Sequence, residues 1–270
     1  MRFRDLALLT GAAGAGMFAY GMLVESRRLV LEKHSLRLPL WPESLSGYKI
    51  AVLADFHLRG RYSLELAQRA VAMALHQKPD MVVLAGDLVA FWEPQSKEMI
   101  RAALEPLRLM DGKAVAVAGN HDYFYDEDAA MLGPILDDLN IQFLRNEVWV
   151  QDGISWVGID SAVMQRHNPV GTMAEVETCP AVCLWHEADL VDELPQGCAL
   201  QISGHSHGGQ FRFPFGITPM HSYLGKKYPR GFYPDAPTPL YVSRGVGTTG
   251  PPSRFLCPPE VSLLTLMPVV

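Results

Sequence analysis

The sequence predicts an α/β protein with two facing sheets and a ligand site beyond its strand ends, and three observations lead there. Between Lys49 and Ala118, continuous apolar runs alternate with segments of helical spacing, as expected for strands buried on both faces. Three successive runs each end in a polar cluster, and the crevice beyond the carboxyl ends of such strands is where open α/β sheets bind ligands. After about Gln142 the helical spacing fades into short strand-like pieces, which imply a second sheet facing the first.

The chain opens on an uncharged run, Leu6 to Val24, with Arg2 and Arg4 before it and Arg27, Arg28 and Lys33 after it. Roughly 20 apolar residues span a bilayer as a helix. Residues 1–25 are therefore assigned to a membrane anchor or signal segment, with residues 6–24 as a single-pass span. A cleaved secretory signal and a helix of the fold are the competing readings. Basic residues on both flanks leave the membrane face open.

Residues 26–47 carry Pro39 and Pro42 and read as a linker or an edge segment, so the catalytic domain is assigned to residues 48–270. Within it, strands are expected at Lys49 to Ala54, Met81 to Ala85 and Ala114 to Ala118, with helices at Leu64 to His76 and near Gln95 to Met110. The later strand-like pieces are Trp149 to Val150, Ile154 to Ile159, Ala181 to Trp185, Ala199 to Ile202, Leu240 to Val242 and Val261 to Leu266. A chain of 270 residues with 49% apolar content can bury one substantial core. The net charge of −6 argues against a polyanion binder, so no nucleic-acid partner is expected. Cys179, Cys183, Cys198 and Cys257 follow neither a disulfide framework nor a zinc spacing and read as buried free thiols.

The polar clusters are Asp55-Phe56-His57, Gly86-Asp87, Gly119-Asn120-His121-Asp122, His186 after the strand Ala181 to Trp185, and Gly204-His205-Ser206-His207. Each supplies oxygen or imidazole nitrogen, and alternate residues of an extended segment share a face, so D-x-H and H-x-H can each aim two ligands at one locus. Mn, Fe and Zn accept this donor mixture, and two such ions about 3.5–4 Å apart can share a bridging hydroxide that attacks phosphorus. Gly86, Gly119 and Gly204 each precede a candidate ligand, where freedom to take positive φ allows a sharp turn.

In this order, from Lys49 to Leu266, the clusters resemble those of the calcineurin-like metallophosphoesterase superfamily. The resemblance implies a four-layer αββα sandwich of two mixed sheets, here preceded by a hydrophobic helix. It further implies that Asp55, His57 and His207 bind one divalent metal, that Asn120, His186 and His205 bind the second, and that Asp87 bridges them. His121 would contact the phosphoryl group or protonate the leaving oxygen, with Asp122 orienting its ring. The G-H-S-H-G-G-Q run at Gly204 to Gln210, the R-F-x-x-P-P-E pattern at Arg254 to Glu260 and the N-terminal segment resemble a membrane-associated bacterial branch of phosphodiesterases. Some relatives there cleave the pyrophosphate of UDP-2,3-diacylglucosamine, which implies a phosphate-ester substrate of lipid-linked type at the bacterial cell membrane.

Arg59, just after His57, and Arg244 are candidates for phosphate contact. Between Phe211 and Tyr233, aromatic residues mix with Arg212, Lys226, Lys227 and Arg230; this loop either meets a lipid-linked or aromatic leaving group or simply packs on the sheet. His34, His76, His167 and His221 read as structural or exposed, Asp80 as a turn residue and Asp160 as a strand-end hydrogen-bonding group. Three rivals stand beside the phosphodiesterase: a noncatalytic scaffold of the same fold, a phosphomonoesterase or protein phosphatase, and a single-metal protein in which Asp87 bridges nothing.

Overall fold

The computed structural model describes residues 3–126 and 129–269. One mixed sheet contains β1 (Val30–Leu38), β2 (Tyr48–Leu53), β3 (Met81–Ala85), β4 (Ala114–Val117), β5 (Gln142–Leu144) and β12 (Glu260–Pro268), in the order β1-β12-β2-β3-β4-β5. The other contains β6 (Glu147–Gln151), β7 (Ile154–Ile159), β8 (Ala181–Trp185), β9 (Cys198–Ser203), β10 (Gly231–Tyr233) and β11 (Leu240–Val242), in the order β10-β11-β9-β8-β7-β6. Strands β2 to β5 run parallel, as do β7, β8, β9 and β11, so both sheets send their central carboxyl ends toward one edge of the molecule.

Alternation along each strand divides the core. Ile50 and Val52 of β2 and Val83 of β3 face the second sheet, where they meet Trp156, Leu184 and Ile202. Ala51, Leu53 and Leu84 face outward against Leu66, Ala70 and Ala74 of helix α2 (Arg61–His76) and Ile100 of α3 (Ser96–Leu104). Each large aliphatic buried this way contributes about 1.5–3 kcal/mol. A further helix, α4 (Leu132–Asp138), completes this outer layer. The opposite outer face, behind β7 and β8, is covered among the described residues by the short α5 (Pro169–Met173), the 3-10 turn Ala188–Asp192 and loop residues such as Leu194 and Leu224, so the second helical layer is thinner than the sequence suggested.

Two boundaries differ from expectation. Residues 30–38 are no linker: β1 is an edge strand paired with β12 from Val30 against Glu260 to Leu38 against Pro268, with Leu36 and Leu38 buried. The folded domain therefore starts near Leu29 rather than at residue 48; the polar Glu32, Lys33, His34 and Arg37 of an edge strand concealed it. The helix expected to Met110 stops at Leu104, where Glu105-Pro106 starts a 3-10 turn.

The N-terminal run falls within α1 (Phe3–Leu23). Arg2 lies outside the described residues, as do the side chains of Arg4, Leu6 to Thr10 and Ala13. Among the described residues no helix is long and apolar enough to cross a membrane, so the single-pass span has no support from the fold. At its carboxyl end α1 docks on the domain, where the Arg254 amide donates to the Gly21 carbonyl at 3.3 Å.

Candidate metal centre

The predicted ligands come together from five strand ends. Asp55 and His57 follow β2, Asp87 follows β3, Asn120 follows β4, His186 follows β8, and His205 and His207 follow β9. All seven are buried. Asp55, His57, Asp87, His205 and His207 adopt left-handed backbone, with φ of 54°, 45°, 55°, 68° and 50°. Non-glycine residues hold such conformations at roughly 1–3 kcal/mol each, and such outliers cluster at functional sites. Pairing within D-x-H and H-x-H thus comes from consecutive tight turns rather than from an extended segment.

The glycines act differently from expectation. Gly86 has a φ of +89°, but Gly119 and Gly204 are not in the left-handed region. They are needed for closeness instead: a Cβ on Gly119 would collide with the Asp87 carboxylate, and one on Gly204 would stand 2.7 Å from Asp55 Oδ2.

Two ligand sets share Asp87. In the first, the Nε2 atoms of His57 and His207 are 2.9 Å apart, with Asp55 Oδ1 3.5 Å from His207 Nε2 and Asp87 Oδ2 3.4 Å from His57 Nε2. In the second, His186 Nε2 is 3.2 Å from Asp87 Oδ2, and one ligand atom from each of Asp87, His186 and His205 lies within 4.8 Å of the others. Backbone carbonyls select which nitrogen faces inward. His186 Nδ1 donates to the Ala85 carbonyl at 2.6 Å, leaving Nε2 for the centre, whereas His205 Nε2 donates to the Tyr223 carbonyl at 2.5 Å, leaving Nδ1.

These donors fit divalent cations. Asn120 Oδ1 is buried without a hydrogen-bond partner, a costly state for an atom that no cation completes. Burial pushes the Asp55 carboxyl up to about 7, with the Asp87 charge adding to the rise, and burial pulls His57 down to about 3. Burial also disfavours charge on Asp87, but His186 and His57 outweigh it and hold its carboxyl well below the ordinary range. A cluster that cannot ionise its ligands together unaided is one that a cation stabilises.

Two predicted roles are corrected. Asp122 does not orient His121: its Oδ1 accepts from the amides of Leu88 and Val89 at 2.8 and 3.1 Å, and its Oδ2 from those of Asp87 and Gly119, both at 2.9 Å. It clamps the turn that carries Asp87. The His121 ring is oriented by the Ala90 carbonyl, 2.7 Å from Nδ1, and its amide donates to Asp87 Oδ1 at 2.8 Å. Arg244 is not available for phosphate, because it pairs with Glu32 at 2.6 Å and with the buried Glu260. Arg59 keeps its candidacy: it is half-buried beside His57 in a cavity of about 400 Å³ and donates to Thr248 Oγ1 at 3.3 Å.

A second cleft of about 310 Å³ opens over the centre, lined by Asp87, Asn120 and His121 and walled by Val163, Met220 and Tyr223. His221, read as structural, also lines it. Arg254 escaped the sequence reading as a site residue. Its guanidinium is fully buried and donates to the carbonyls of Arg244, Gly245, Gly247 and Cys257, binding the loop against which Asp55 packs. Only its place in R-F-x-x-P-P-E marked it. Asp160 is structural as expected, accepting from Tyr123 Oη at 2.5 Å.

Comparisons with known proteins place the chain in a family. Residues 48–209 match the calcineurin-like phosphoesterase family. The chain is 30% identical over 274 residues to the metallophosphoesterase YkuE of Bacillus subtilis, covering 96% of this chain and 93% of that one. It is 29% identical over 279 residues to the phosphodiesterase YaeI of Escherichia coli, covering 98% of each. A metallophosphoesterase of Helicobacter pylori is 31% identical over 231 residues, covering 82% of this chain and 60% of that protein.

Proposed function

The chain belongs to the calcineurin-like phosphoesterase family, and from that premise we propose that it is a binuclear-metal phosphodiesterase. The observation that carries the proposal is the position of Asp87, within ligand reach of His57 and His121 on one side and of His186 and His205 on the other. Asp55, His57 and His207 would hold one divalent cation, Mn, Fe or Zn, and Asn120, His186 and His205 the other. Two cations held there supply an activated water and neutralise charge building on the phosphoryl oxygens.

The chain's own groups do the rest. With Nδ1–H held by the Ala90 carbonyl, His121 has Nε2 free to exchange a proton with the leaving oxygen. Asp122 fixes the Asp87 turn through four backbone amides, so the shared carboxylate is placed before substrate arrives. Arg59 adds a guanidinium beside His57 for a non-bridging phosphate oxygen. The apolar wall of Val163, Met220 and Tyr223 suits the second substituent of a diester. The 29% identity to a phosphodiesterase supports diester over monoester. For location we propose that residues 6–24 hold the chain at a membrane.

Turnover of an aryl phosphodiester and its matching monoester by the full chain, stripped of metal and resupplied with Mn, Fe or Zn, tests this. Metal-dependent diester cleavage exceeding monoester cleavage is expected. Preference for the monoester makes it a monoesterase, and a folded, metal-loaded but inert chain makes it a scaffold.

A further inference from the structure

The segment from Phe213 to Tyr223 presents apolar side chains that its own fold does not cover. Phe215 is 100% exposed, and Ile217, Met220 and Tyr223 are also exposed. Phe215 combines this with a φ of +65°, a strained backbone for an aromatic residue that gains no packing in return. An exposed cluster of this kind marks an interaction site more often than chance.

The cluster is continuous with α1. Phe255 packs between them, its ring centroid 5.8 Å from Phe213 and 6.2 Å from Tyr20. Beyond this contact α1 leaves the domain: Gly11, Gly14 and Gly16 have open space around them, and the run from Leu6 to Val24 carries no charge. Arg27 and Arg28 stand exposed at its base. An apolar surface edged by cations matches the interfacial layer of an anionic bilayer, where apolar side chains enter the acyl boundary and cations meet phosphate head groups. Inward, the same segment ends in Met220 and Tyr223, which wall the cleft beside His121.

We infer that Phe215 and Ile217 dock on an anionic lipid bilayer, setting the cleft at head-group depth so that the substrate is a phosphodiester carried by a membrane lipid. The substrate half of this inference rests on the phosphodiesterase reading; the docking half does not.

The test uses the full chain with vesicles of phosphatidylcholine and phosphatidylglycerol, with and without brominated acyl chains. A tryptophan placed by Phe215→Trp, or separately by Ile217→Trp, reports depth, and Leu109→Trp, exposed on the opposite side beyond the amino ends of the strands, is the control. The added emission at 215 or 217 is expected to fall about twofold or more with brominated lipid, while that at 109 is unchanged. Unchanged emission at 215 and 217 overturns the docking, as does self-association without lipid that buries the same positions in a second copy. For the substrate half, the pair Phe215→Asn and Ile217→Ser should cleave a soluble aryl diester like the parent and a vesicle-borne lipid diester about tenfold more slowly. Equal rates on both overturn it. Quenching in a chain inert toward every diester would defeat the phosphodiesterase reading and the lipid substrate, leaving the docking surface standing.

Discussion

The Nε2 atoms of His57 and His207 stand 2.9 Å apart across 150 residues of chain. Burial keeps both rings neutral, holding His57 down to about 3 and His207 well below its ordinary value. Two neutral imidazoles in that contact, with Asp55 Oδ1 3.5 Å away, present converging donors that a divalent cation satisfies at once.

Asp87→Asn removes the negative charge shared by both ligand sets. Turnover should fall about 10³-fold or more, and metal content, read by elemental analysis, should fall below that of the parent. Retention of both ions with near-parent turnover would show that Asp87 bridges nothing.

His121→Ala should keep both ions, because its Nδ1 is engaged by Ala90 and it belongs to neither proposed ligand set. Turnover is expected to drop about 10²–10⁴-fold. Loss of metal would place His121 among the ligands, where its proximity to His57 and Asp87 leaves room for it.

Asp122→Ala leaves four backbone amides without their acceptor. It should cost about 3 kcal/mol or more in denaturant unfolding, well beyond a surface substitution. An unchanged midpoint would mean that the Asp87 turn stands by itself.

How far the sequence revealed these roles depended on the kind of interaction. The gathering of the candidate metal ligands was legible because they sit at strand ends, and continuous Val/Leu/Ala runs identify such strands. Asp122 was misassigned because spacing places it beside His121, while three of its four amide partners, those of residues 87 to 89, are brought to it only by the packing of β3 against β4. Arg244 looked free for phosphate because Glu32 and Glu260 lie on strands distant in sequence. Edge strand β1 was left between a linker and an edge segment, and outside the domain, because one exposed face gives no continuous apolar run.

Metal affinity should depend on pH near neutrality. Asp55 is pushed up to about 7, and His186, despite burial, is held well above its ordinary value by Asp87, so both must release a proton to coordinate. Affinity should therefore fall at least about tenfold per pH unit below about 7, where Asp55 takes up its proton, as isothermal titration from pH 5.5 to 8 would show. A flat profile would contradict the protonated ligands.

Arg59→Ala is expected to raise KM about tenfold with fold stability unchanged, as loss of a charge-assisted contact to substrate would. Arg244→Ala should do the reverse, leaving KM alone while costing about 3 kcal/mol, because Glu260 is left buried without its counter-charge, held only by the Tyr241 and Ser262 hydroxyls. A raised KM in Arg244→Ala would restore it to the substrate.

The most direct test titrates metal-free full chain with Mn while bound metal and diester turnover are followed together. Two ions per chain, with turnover appearing as the second binds, is the predicted result. Full turnover with one ion bound, or saturation at one, would contradict a centre built around the shared Asp87.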